Sequence, residues 1–137
     1  MATSSSPSSA VTHTAIHQID LGTIEAGVPL DLIAEFSNTS GIPLKGIYEI
    51  VIPPRTLKHR RSRAQNLSLD ESDKFARLIR VYNHAVEVFG DTDDARLWLT
   101  EPHNRFEKRS PLQMLRTEAG ARLVDGLLWQ IADGMFA

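Results

Sequence analysis

Five cations fall within nine residues, Arg55, Lys58, Arg60, Arg61 and Arg63, with no acid among them. Side chains of this kind neutralise phosphates, and guanidinium groups also grip guanine edges in a bidentate fork. On a helix, Arg55, Thr56, Lys58 and His59 lie near the start, where base edges are usually read; Arg60, Arg61 and Arg63 then reach phosphates. A solvated basic face that binds nothing has the same composition. Two other clusters could bind metal. His13 and His17 are spaced four apart, so one helix face could present both imidazoles, but no further ligand completes the set. Asp91, Asp93 and Asp94 resemble part of a calcium loop, yet they lack its glycine and terminal glutamate, and helix capping accounts for them more simply. The chain has no Cys, which excludes thiolate nucleophiles and cysteine-based metal sites. Neither a Gly-rich phosphate loop nor a nucleophile–base pairing is present, so no catalytic residue, metal or cofactor is expected.

The basic segment needs a scaffold, and the punctuation of the sequence describes one. Leu32, Ile33 and Phe36 recur at helical spacing over 29–38, and Gly41 breaks the pattern. Pro43 opens a short helix with Leu44, Ile47, Tyr48 and Val51 on its apolar side. Pro53-Pro54 ends it and starts the basic helix, 54–63. Two short helices joined by a tight turn, the second basic, have the layout of a helix-turn-helix. Ser68 and Glu71 form a capping box that starts a long helix, with Phe75, Leu78, Ile79, Tyr82, Val86 and Phe89 as its stripe and Gly90 as its stop. Asp91 caps a shorter helix, Ser110-Pro111-Leu112-Gln113 is a second capping box, and Thr117 caps the last helix, which ends at Gly134. The fold class is all-α. Residues 13–26 read as a loose helix or extended arm.

The formal charge of the 137-residue chain is −2, but this averages opposed blocks. Residues 1–26 carry only two acids, residues 27–66 six basic and three acidic side chains, residues 67–101 four and eight, and residues 102–137 five and four. Three units follow: a disordered or loosely ordered tail over 1–26, Ser-rich in its first twelve residues, a basic helix-turn-helix unit over 27–66, and a helical unit over 67–137. With no basic start, no signal-like apolar stretch and no run approaching a membrane span, a cytoplasmic protein with no membrane partner is expected. The last helix is apolar at Leu123, Val124, Leu127, Leu128 and Ile131, with Trp129 beside them, and Met135-Phe136-Ala137 follow. A stripe this wide fits a protein partner or a second copy as well as it fits the core.

Over 67–137 the sequence resembles the toxin-binding domain of the Xre/MbcA/ParS antitoxins. The resemblance rests on Leu67-Ser68-Leu69-Asp70-Glu71-Ser72-Asp73, Val86-Glu87-Val88-Phe89-Gly90, Ala95-Arg96-Leu97-Trp98-Leu99, Arg109-Ser110-Pro111-Leu112 and Thr117-Glu118-Ala119-Gly120-Ala121-Arg122, together with the ending Gly134-Met135-Phe136-Ala137. Upstream, Ile52-Pro53-Pro54-Arg55-Thr56-Leu57 looks like the Xre-type helix-turn-helix. The resemblance implies a bacterial type II antitoxin that obstructs the active site of an NAD-consuming RES-domain toxin. It also implies that the antitoxin self-associates as a homodimer within a toxin–antitoxin hetero-oligomer, and that it represses its own operon by binding operator DNA. NAD chemistry would belong to the toxin. On this reading Leu123, Leu127, Leu128, Ile131, Met135, Phe136 and Ala137 meet the toxin. The other reading is a transcriptional regulator without a toxin, whose C-terminal helices only dimerise.

Overall fold

The computed structural model describes residues 18–134. His13, His17, Met135, Phe136 and Ala137 lie outside the described residues. The elements in chain order are α1 (Leu21–Ala26), α2 (Asp31–Ser40), α3 (Leu44–Val51), α4 (Pro54–Ser62), α5 (Leu69–Phe89), α6 (Thr92–Thr100), a 3-10 turn (Asn104–Phe106), α7 (Pro111–Met114) and α8 (Glu118–Ala132). Among the described residues the only β pairing is an isolated bridge between His103 and Arg109. The all-α class read from the sequence is the class observed.

The helix ends follow the side-chain chemistry. Ser68 Oγ accepts from the Glu71 amide (3.2 Å) while the Glu71 carboxylate accepts from the Ser68 amide (2.8 Å). Ser110 and Gln113 repeat this reciprocal arrangement. Gly41 and Gly90 close α2 and α5 in left-handed conformations. The spacing starts this helix at about Pro29, as a first-turn proline; in the structure it begins two residues later, at Asp31, with Leu30 at its cap. The arm before it resolves into α1, capped by Asp20, whose carboxylate accepts from the Thr23 amide. One segment is not legible from propensity. Glu107 and Lys108 both adopt positive φ, 56° and 67°, in the tight turn that the bridge closes.

The central helix is α5, which packs against α1, α3, α6 and α8. Phe36 of α2 meets Phe75 and Tyr82 of α5 edge-on, at ring-centroid distances of 5.7 and 5.3 Å. This geometry places the positive ring edge on the negative face of its neighbour. Val28 pins the segment before α2 to α5, donating its amide to Ser72 Oγ (2.9 Å) and accepting from the Leu67 amide (2.9 Å). One buried cluster contains Ile33, Ile47 and Leu57 from the N-terminal helices and Leu115, Val124 and Leu128 from the C-terminal ones. The helix-turn-helix elements and the last helix therefore stand on a common core.

The Tyr82 hydroxyl is buried within that core and has no hydrogen-bond partner among the described residues. Burial, with the Asp93 charge adding to it, raises its pKa above the usual phenol value. An unpartnered buried hydroxyl has lost its hydration without replacement. Tyr82→Phe keeps the ring contacts and removes that cost, so it should raise the thermal midpoint by a few degrees, corresponding to about 1 kcal/mol. A clear drop in the melting temperature would count against this account of the site.

Candidate nucleic-acid and partner interfaces

The basic helix is anchored by one residue. Leu57 is buried (4% exposed), and the cations are distributed around that anchor. Arg55, Lys58, His59 and Ser62 are exposed and recur at helical steps of three and four, so they share one outward face. Thr56 is half-buried at its edge. Arg61 turns toward α3, donating to the Tyr48 hydroxyl (3.0 Å) with its guanidinium 6.0 Å from the ring centroid. Arg63 is exposed at the C-cap.

Arg60 has a different role. Its Nε and Nη2 donate to the two oxygens of Glu71 at 3.1 and 3.0 Å, a bidentate fork. Both side chains are largely covered, at 22% and 11% exposure. The Glu71 carboxylate thus ties the basic helix to the first turn of α5 while completing its capping box. Burial alone would raise the Glu71 pKa; Arg60 and the Ser68 amide outweigh it and hold the carboxyl below the usual range. In sequence Arg60 is indistinguishable from its neighbours. In the structure its guanidinium is spent on the scaffold, and the free cations of the segment are Arg55, Lys58 and Arg63, with His59 exposed beside them.

The last helix sorts its apolar residues as sharply. Val124 and Leu128 are fully buried, Leu127 is 9% exposed, and Ile131 lies partly buried against the core. Leu123 and Trp129 are 59% and 61% exposed. The wide stripe seen in sequence therefore divides into a core seam and an outer apolar edge. Of the four residues on this helix expected to meet a partner, Leu127 and Leu128 are committed to packing, while Leu123 and Ile131 remain accessible. Trp129 joins them, identified by its exposure. It is held in place from below, since the His84 ring lies 4.6 Å from its ring. Asp125 fixes that ring by accepting from His84 Nδ1 (3.0 Å), and it also pairs with Arg80 at 2.6 Å. Leu97 on α6 is a further exposed apolar side chain, at 45%.

Among the described residues no group of three or more His, Asp or Glu side chains is placed to hold a metal ion. Asp91 caps α6 by accepting from the Asp94 amide (3.0 Å). No described helix is long and apolar enough to cross a membrane.

Comparison with known proteins gives both halves of the chain a counterpart. Residues 21–80 match the family model for the antitoxin Xre-like helix-turn-helix domain, and residues 84–134 match that for the antitoxin Xre/MbcA/ParS C-terminal toxin-binding domain. The protein named Antitoxin Xre in Pseudomonas putida is 44% identical over 84 residues, a match covering 61% of this chain and 53% of that protein. This chain thus spans about half the length of that relative. The protein of the same name in Yersinia enterocolitica is 34% identical, over 83% of this chain and 78% of that one. A Photorhabdus laumondii counterpart is 33% identical, over 82% and 77%. The fold is shared with a chain in the crystal structure of the M. tuberculosis MbcT-MbcA toxin-antitoxin complex. That match has a TM-score of 0.52 at 20% identity and covers 81% of this chain and 99% of that one.

Proposed function

We propose, from the premise that this chain belongs to the Xre/MbcA/ParS antitoxin family, that it neutralises an NAD-consuming RES-domain toxin through α8 and the residues after it, and represses its own operon through α4. No catalytic group is assigned to the chain; it acts in the cytoplasm by occupying surfaces. The observation that carries toxin binding is the outer edge of α8, where Leu123 and Trp129 stay exposed although the helix has a complete core seam beneath them. A preset aromatic beside aliphatic neighbours is the kind of anchor that dominates protein interfaces. Ile131 continues the edge toward Met135, Phe136 and Ala137, whose apolar character extends it in sequence. Self-association as a homodimer within the toxin complex belongs to the same reading. Operator binding is supported by the outward face of Arg55, Lys58 and His59 on a short helix anchored through Leu57.

The decisive experiment is co-expression with the product of the adjacent reading frame, which this reading expects to be a RES-domain protein. Wild-type chain should restore growth and co-purify with that protein. Leu123→Asp combined with Trp129→Ala should weaken the complex by about 2–4 kcal/mol, roughly 30- to 1000-fold in Kd, and release toxicity, since two central anchors are lost. Both positions are exposed, so the variant should melt within a few degrees of wild type. Full protection by a folded double variant would overturn the assignment of this edge.

A further inference from the structure

A groove of about 800 Å³ separates the helix-turn-helix elements from the C-terminal helices. One wall is the α3–α4 junction, with Tyr48, Pro53 and Pro54; the other carries Arg109 and Arg116, and Lys74 of α5 also lines it. Glu49 is the only acid among the lining residues. None of the three cations belongs to the basic helix, yet Pro53 and Pro54, which line the groove, cap and open that helix. The groove therefore continues from the start of α4, next to Arg55.

The cations are available to a ligand. Arg116 is exposed and has no ion-pair partner among the described residues. Lys74 pairs only with Asp70 one turn away on its own helix (3.2 Å), where the aspartate is 79% exposed. Arg109 reaches Glu107 at 3.6 Å, with both side chains more than half exposed. Surface pairs of this kind are worth little and exchange readily for a stronger anion. Arg109 is also positioned. Its Nε donates to the Phe106 carbonyl (3.0 Å) and its backbone bridges His103, so its guanidinium is tethered beside the groove with the exposed Glu107 as its ion-pair partner. The turn that aims it is the one in which Glu107 and Lys108 adopt left-handed conformations, which non-glycine residues seldom take.

We infer that Lys74, Arg109 and Arg116 form a second phosphate-binding track, and that DNA engaged by α4 continues its backbone into this groove. The occupant is a polyanion because the lining has three cations against one carboxylate. It is a nucleic-acid backbone because the groove opens at the start of the helix proposed to read DNA; the inference rests on that reading. The track adds affinity without sequence preference.

The test compares two variants of the full chain by titrating two duplexes, one from the promoter upstream of its gene and one of unrelated sequence and equal length, over a range of salt concentrations. Lys74→Ala with Arg116→Ala spares the bond between Arg109 and Phe106 and should fold as wild type by helical circular dichroism. It should bind both duplexes more weakly, and the slope of log K against log salt should become shallower by about two. Arg55→Ala with Lys58→Ala should weaken the promoter duplex more than the unrelated one. Unchanged affinity and slope in the groove variant, while the α4 variant loses binding, would overturn the track and leave operator reading intact. Unchanged binding in both variants, or none by wild type, would overturn the DNA reading with it. Loss of toxin co-purification by the groove variant, with unchanged DNA binding, would reassign the groove to an acidic protein surface and also overturn the track.

Discussion

Replacing Glu71 with Ala should destabilise the chain by about 2–4 kcal/mol, roughly a 10 °C fall in the thermal midpoint. Two losses combine. The capping box at the start of α5 loses the carboxylate that accepts from the Ser68 amide, a loss of about 1 kcal/mol. Arg60, covered to 22% exposure, loses both of its acceptors and becomes a partly buried unpaired charge. Glu71→Gln keeps a neutral acceptor for the amide and separates the two contributions, so about half the effect should remain. The pH dependence has a definite sign. The Glu71 carboxyl is held below its usual range in the folded chain. Its stabilisation is therefore complete above the unfolded value of about 4.3, and it is lost as pH falls through the lower folded value. Wild type and Glu71→Gln should therefore converge in stability only as pH falls through and below that lowered folded value. If urea midpoints of both variants stay close to wild type at pH 7, the link between α4 and α5 is not structural.

That ion pair marks where sequence reading stops. The capping box was legible, because Ser and Glu three residues apart before an apolar run serve a purely local geometry. The second duty of Glu71 was not. Arg60 sits 11 residues upstream, and nothing in its type separates it from Arg61 or Arg63. The same division holds on α8. Helical spacing placed Leu123, Leu127, Leu128 and Ile131 on one broad stripe, since a period of 3.6 residues cannot say where a neighbouring helix ends. Only the position of α5 shows that Leu128 is covered and Leu123 is not. Trp129 stands beside that stripe in sequence, but its place on the outer edge is not legible for the complementary reason: it depends on His84, 45 residues upstream, and on Asp125, which holds that ring. Elements and caps are local and could be read; the assignment of each cation and apolar side chain to scaffold or surface is tertiary. The turn that aims Arg109 belongs with the latter, because positive φ at Glu107 and Lys108 runs against residue preference and is imposed by the closing bridge.

The two glycines of α8 should respond to alanine with opposite signs. Both are helical, and helix propensity alone favours alanine at each by about 1 kcal/mol. At Gly126 a Cβ would meet nothing within 4 Å. Gly126→Ala should therefore raise stability by about 0.5–1 kcal/mol, through the smaller loss of backbone entropy on folding. At Gly120 a Cβ would lie 1.9 Å from the Met114 carbonyl oxygen and 2.9 Å from its carbon. Those are backbone atoms, so no rotamer change relieves the overlap. The start of α8 would have to move away from α7, and its cap would move too, because Thr117 Oγ1 accepts from the Gly120 amide at 3.0 Å. Forced separation in a packed core costs at least about 1–3 kcal/mol, and a backbone clash this close should exceed that range. Gly120→Ala should thus cost about 3 kcal/mol or more, against its propensity. The functional consequence follows from position. Gly120 lines the groove wall, and its helix carries Leu123 and Trp129. A folded remnant should lose co-purification with the toxin together with stability, while Gly126→Ala retains it. Equal and favourable shifts in melting temperature for both variants would show that α8 does not press on α7 as closely as this geometry requires.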